Sequence, residues 1–194
     1  MVSCEGEPLK RNVGRLLMKS ILILITALFF TAPTAGQTHF YLDERFAREA
    51  KLPEALVPLL RDVIKNTCRG QMPADNTDVR SWFSASRITL SQRRAYIVKS
   101  ASEHHCLTGA DNDWFWIFLK TERGYRLVLT GGTLVVDVRK TKSRGLADIE
   151  TNVATARTNY RNFYRFDGTV YKARKCMEAT PPGEGKHVSV PCRH

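Results

Sequence analysis

Two short stretches gather side chains that can do chemistry. Glu103-His104-His105-Cys106 sets a carboxylate, two imidazoles and a thiol side by side, and Asp111-Asn112-Asp113 follows shortly after. Histidine titrates near neutral pH and suits acid–base work, a His/Cys cluster suits zinc, and a run of Asp and Asn offers oxygen ligands to calcium. The zinc reading lacks a second His/Cys pair at tetrahedral-site spacing. The calcium reading stops at Trp114, where a calcium loop would continue with further ligands, a glycine and a distal glutamate; Asn and Asp serve turns equally well. Ser81, Ser84 and Ser86 lack the glycine-flanked elbow that exposes a nucleophile. No metal and no cofactor are therefore expected, and one catalytic option stands: a small envelope hydrolase using His104, His105 and the acidic loop 111–113.

A third stretch, YRNFYRFDGTVYKARKC from Tyr160 to Cys176, alternates cations with aromatic rings. On a strand, Tyr160, Asn162, Tyr164 and Phe166 share one face while Arg161, Phe163 and Arg165 share the other. Aromatic sheets with neighbouring arginines bind single-stranded nucleic acid by stacking and phosphate contact, but the same pattern arises wherever an aromatic face covers a core and a cationic face meets water. Arg161 and Arg165, joined by Lys140, Lys142 and Arg144 from the KTKSRG stretch, form a candidate binding surface for an anionic ligand.

The compartment decides between these partners. Lys10, Arg11, Arg15 and Lys19 precede the apolar run ILILITALFF (21–30), and Thr34-Ala35-Gly36 supplies small residues for cleavage, so residues 1–36 read as a signal peptide. The run is shorter than the roughly 20 residues of a membrane-spanning helix, and no permanent span is expected after cleavage. Met18-Lys19 and the run make a complete short signal by themselves, so one expectation is that residues 1–17 come from an upstream start codon, with Met1 and Met18 both left open as the start. Export to the periplasm or the extracellular space makes nucleic acid an unlikely partner and favours an anionic envelope polymer or an acidic protein. The whole chain carries a formal +11; setting aside residues 1–36, with four Lys/Arg and two Asp/Glu, leaves 26 against 17, a formal +9.

The same cut leaves Cys68, Cys106, Cys176 and Cys192. Four cysteines in an exported chain read as two disulfides, with three possible pairings. The tail segment EATPPGEGK (178–186) has too little apolar surface to hold itself down, so a Cys176–Cys192 bridge is expected to close it. Cys68–Cys106 then ties the end of the helical segment to the loop before the central strand.

These residues must be positioned by elements that the sequence also outlines. Leu52, Leu56, Leu59, Leu60, Val63 and Ile64 recur at helical spacing, with a kink or a late start expected at Pro58; a shorter helical stretch is expected over Asp43–Ala50. Residues 69–79 read as a loop. Short β-rich runs follow: 82–90, 95–101, 114–120, 125–130, 133–139, 149–154, 160–166 and 169–174. Gly131-Gly132 and Asp167-Gly168 fit two-residue hairpin turns, and Glu122-Arg123-Gly124 a slightly longer one. WFWIFL (114–119) is apolar on both alternating faces, so it reads as a central strand covered on both sides, with Trp116 buried.

SWFSAS (81–86), CLTGADNDWFWIF (106–118), GLADI (145–149) and YRFDGTVY (164–171) resemble an uncharacterised group of bacterial exported proteins, across roughly 52–176. The resemblance implies a signal segment and a β-rich body, and it brings no catalytic residues. Such chains often carry alternating Asp and Gly after a strand, where this one has SQRRAY (91–96).

The resulting expectation is a single exported domain over 37–194 of α+β class. A helical amino-terminal segment (43–67) packs on a mainly antiparallel β-meander sheet (81–176), followed by a disulfide-tied tail (177–194). Its expected role is that of a non-catalytic binding or inhibitor-like module.

Overall fold

The computed structural model describes residues 38–68, 78–101, 105–108, 112–155, 157–179 and 187–192. The expected signal segment, most of the 69–79 loop, Glu103, His104, Asp111 and residues 180–186 of the tail lie outside the described residues.

The chain enters as a three-residue strand, β1 (His39–Tyr41), and crosses through a 3₁₀ turn at Glu54–Leu56 into the helix α1 (Val57–Thr67). Pro58 gives a late start rather than a kink: it occupies the first helical turn, where a missing backbone N–H costs nothing. Leu56, Leu60, Val63 and Ile64 form the buried stripe that the spacing predicts. The expected helical stretch over Asp43–Ala50 is instead an extended and turning segment. It lies along the first strand of the body, with the Ala50 amide donating to the Ala85 carbonyl at 2.8 Å and the Ser86 hydroxyl donating to that of Arg48 at 2.9 Å.

Strands β2 (Phe83–Leu90), β3 (Arg93–Ser100), β4 (Asp113–Thr121) and β5 (Gly124–Thr133) pair antiparallel in chain order as a four-stranded sheet. Strands β6 (Val135–Ser143), β7 (Leu146–Ala154), β8 (Asn159–Phe166), β9 (Tyr171–Ala179) and β10 (His187–Val190) follow as a second antiparallel meander. β1 joins its other edge beside β6, making six strands. The single meander sheet expected from sequence is thus corrected, among the described residues, to two sheets, mostly antiparallel β with one short helix.

The division occurs where the sequence suggests a hairpin. Gly131 and Gly132 make no turn; they lie inside β5, opposite Phe115 and Trp114. A Cβ on Gly131 would stand 3.5 Å from the Phe115 ring, an ordinary contact distance, so the ring of its cross-strand partner lies against this part of β5. The chain changes sheets one residue later. Thr133 is fully buried, its hydroxyl donating to the Asn152 carbonyl at 2.6 Å, and the Leu134 amide donates to the same oxygen at 3.0 Å.

β4 is interior in its sheet, as the two-faced apolar run predicts. Phe115, Ile117 and Leu119 join the core between the two sheets, with Phe40, Ile97, Val136, Ile149 and Phe166. Trp116 and Phe118 join a second core under α1, with Leu56, Leu60, Ile64, Phe83 and Val98. Val128 is an extra residue opposite the Ile117–Phe118 step, a bulge that turns both Val128 and Leu129 toward the inter-sheet core. Both disulfides are formed in the expected pairing, Cys68–Cys106 and Cys176–Cys192.

Candidate functional site

The outward face of the six-stranded sheet is built by register. Pairing across β1, β6, β7, β8 and β9 lines His39, Asp137, Glu150, Phe163 and Lys175 into one transverse row. Their sequence neighbours Phe40, Val136 and Ile149 point inward to the core. Within the row His39 is paired with Asp137. Glu150 is only 1% exposed, and its carboxylate accepts the Arg161 guanidinium, with Nε at 2.7 Å, while Arg139 stands 3.0 Å from its other oxygen. The guanidinium of Arg161 and the ammonium of Lys175 flank the Phe163 ring, at 5.5 and 5.8 Å from its centre. Arg161, still about one-third exposed, thus shares its charge with a buried carboxylate.

The other expected binding residues do reach water. Lys140, Lys142, Arg144 and Arg165 are exposed, and among the described residues none has a carboxylate within ion-pair distance. The KTKSRG stretch is not a loop: Lys140 and Lys142 lie on β6, and only Arg144 and Gly145, both at positive φ, make the turn into β7. Arg165 pairs across strands with Lys172. A Cβ on Gly168 would stand 3.7 Å from Arg144 Cδ, so the β6–β7 turn lies against the β8–β9 loop and the cations of both hairpins share one end of the sheet.

That loop spans 167–170 rather than the two residues expected at Asp167-Gly168, because Asp167 folds the backbone around its own carboxylate. The carboxylate accepts the amides of Thr169 and Val170 at 2.8 and 2.9 Å and pairs with Lys172 at 3.0 Å. These bonds, the two backbone amides foremost, hold the Asp167 carboxyl well below its usual range. A lowered folded-state pKa means that ionised Asp167 stabilises the fold above the ordinary carboxylate range, near pH 4, and that this contribution is lost as pH falls through that range and below. Asp167→Asn is expected to flatten the acid limb of the stability–pH profile, read from denaturation midpoints between neutral pH and about pH 2. An acid limb with the parental slope would refute this role.

The residues expected to serve catalysis are differently placed. His104 and Asp111 lie outside the described residues, as does the side chain of His105, whose backbone sits in a 3₁₀ turn at His105–Leu107. Asn112 ties β4 to the other sheet, its side-chain amide donating to the Ala154 carbonyl at 3.1 Å. Asp113 faces Lys99. Burial pushes the Asp113 carboxyl up and the Lys99 ammonium down, and their mutual attraction opposes both shifts. Lys99 spends its hydrogen bonds on the carbonyls of Leu42 and Glu44, pinning the crossing segment between the sheets. Ser81, Ser84 and Ser86 donate to Asp78, Glu49 and Arg48, as structural hydroxyls do.

Sequence reasoning missed Glu150. Its signal was weak: Glu150 lies among apolar and polar residues in LADIETNV (146–153), and the strands before and after it carry Arg139 and Arg161. No family model, no curated protein and no solved structure matches this chain.

Proposed function

We propose that this chain is an exported, non-catalytic binding module that holds an anionic envelope polymer on the cationic end of its six-stranded sheet. One observation carries the reading: this sheet buries or pairs four of its five acids, all but Glu178, and leaves several of its cations exposed and unpaired among the described residues. Of the five acidic residues between 134 and 179, Glu150 and Asp148 are buried, Asp137 is taken by His39 and Asp167 by Lys172. Lys140, Lys142, Arg144 and Arg165 remain exposed on adjoining hairpins. A convex or flat array of one sign attracts an extended polyanion through many weak contacts, with strong salt dependence.

Two disulfides and the basic-then-apolar start of the chain support an oxidising compartment outside the cytoplasm. Among the described residues no helix is long and apolar enough to cross a membrane. Asp113, one of the residues the hydrolase alternative would use, faces Lys99, while His104, Asp111 and the His105 side chain lie outside the described residues.

The test is retention on immobilised heparin, a sulfated polysaccharide probe, with elution by a salt gradient. Lys140→Glu combined with Lys142→Glu and Arg165→Glu is expected to elute at clearly lower salt with an unchanged denaturation midpoint. Arg161→Ala is expected to do the reverse, losing stability because Glu150 is left buried with one partner fewer. Unchanged elution of the triple variant would overturn the proposal.

A further inference from the structure

We propose that a pocket on the helix-side face of the four-stranded sheet, near its hairpin tips, binds the phosphate group of a small organic phosphate. The site shares no residue with the cationic end of the six-stranded sheet and does not depend on that reading.

Register builds it. Arg87 pairs with Tyr96 and Thr89 with Arg94 across β2 and β3, Tyr96 pairs with Phe118 on β4, and Lys120 pairs with Tyr125 across β4 and β5. All of these side chains therefore share the face that carries Phe118 and Trp116 into the core beneath α1. Toward the hairpin tips that cover ends, and Arg87, Thr89, Arg94 and Lys120 are exposed. Together with the two tyrosines they line a pocket of about 450 Å³.

The lining holds three cations and no carboxylate. Among the described residues, Arg87, Arg94 and Lys120 have no ion-pair partner at all. Arg87 and Lys120 are nevertheless held in place. The Arg87 Nε donates to the Tyr96 hydroxyl at 3.2 Å, the Lys120 ammonium lies 5.6 Å from the Tyr125 ring centre, and the two tyrosine rings meet edge to face at 5.7 Å. A bond from Arg93 to the Lys120 carbonyl, 3.3 Å long, ties the two hairpins together beneath the cations.

Three like charges gathered on an aromatic floor repel one another unless an anion sits among them. Two guanidinium forks and an ammonium suit the several oxygens of a phosphate better than a single carboxylate. The pocket is larger than a bare phosphate needs and falls within the size range of small-molecule sites, leaving room over Tyr96 and Tyr125 for a polyol attached to the phosphoryl group. A free polyol phosphate and a phosphoglycerol lipid headgroup present this same chemistry.

The experiment records amide spectra of the isotope-labelled protein during titration with glycerol 3-phosphate, with glycerol as the uncharged control. Saturable shifts are expected around residues 87–89, 94–96 and 120–125 at millimolar ligand, with none from glycerol. Arg94→Gln combined with Lys120→Gln, both exposed, is expected to fold as the parent does and to bind about tenfold more weakly or worse. A parallel arm sediments the protein with vesicles of phosphatidylglycerol or phosphatidylcholine. Capture by the first alone, lost in the double variant, names the lipid headgroup as the source; shifts with the free ligand and no capture name a soluble phosphate. The proposal is overturned if neither arm shows binding, if the double variant binds like the parent, or if the shifts fall on 140–165 instead. None of those results would remove heparin retention by the six-stranded sheet, which is tested separately by its own triple variant.

Discussion

Trp116→Ala is expected to cost about 3–5 kcal/mol of folding stability. The indole is 4% exposed, on the strand interior to its sheet, and its ring meets Phe83 edge to face at 5.6 Å beneath the apolar stripe of α1. Alanine would leave a cavity walled by Phe118, Val98 and helix residues that the sheet on one side and the disulfide-tied helix on the other keep from collapsing inward. Against a total stability of about 5–15 kcal/mol for an ordinary domain, that is a large fraction. Urea denaturation measures it. The control is Trp114→Ala on the same strand, where 38% exposure predicts a clearly smaller loss. Equal shifts in the two variants would show that β4 is not the seam between the two cores.

Removing the Cys68–Cys106 bridge, by Cys68→Ala with Cys106→Ala, is expected to cost roughly 4 kcal/mol. The two residues are 38 apart in sequence, so the bond closes a long loop and removes much denatured-state freedom. It also holds the C-terminal end of α1: Cys68 is 2% exposed in the helix-side core, beside Leu107 and Val79. The Cys176–Cys192 bridge spans 16 residues, and its loss is expected to cost less, about 3 kcal/mol, released chiefly around β10. Thermal or denaturant midpoints of the two double variants, compared with the parent, check both magnitude and order. A larger loss from the tail bridge would place the principal constraint at β10 rather than at the helix.

Several elements were legible because they rest on local rules. WFWIFL has apolar residues at consecutive positions, which on a strand can only mean cover on both faces, and β4 has α1 on one side and the second sheet on the other. The disulfide pairing followed from the tail's lack of apolar surface, which requires a covalent tie near its end. The two short edge strands were not legible: β1 has three residues and β10 four, too few for alternation to stand out.

What the sequence by itself determined was most of the inventory: where eight of the ten described strands and the helix α1 lie to within a few residues, and which face of each is apolar. Those follow from side-chain period and chain connectivity, both local. Only the tertiary structure decided how the meander divides. Gly131-Gly132 satisfies the local rules for a hairpin turn, and only its pairing with Phe115 and Trp114 keeps it within β5. It also decided which charges are free. Glu150 and Arg161 are 11 residues apart on different strands, and only the β7–β8 register sets the carboxylate under the guanidinium. Arg87, Arg94 and Lys120 become one pocket through the registers of two hairpins. Charge pairing depends on cross-strand distance, and sequence separation carries no information about that distance until the strands are in register.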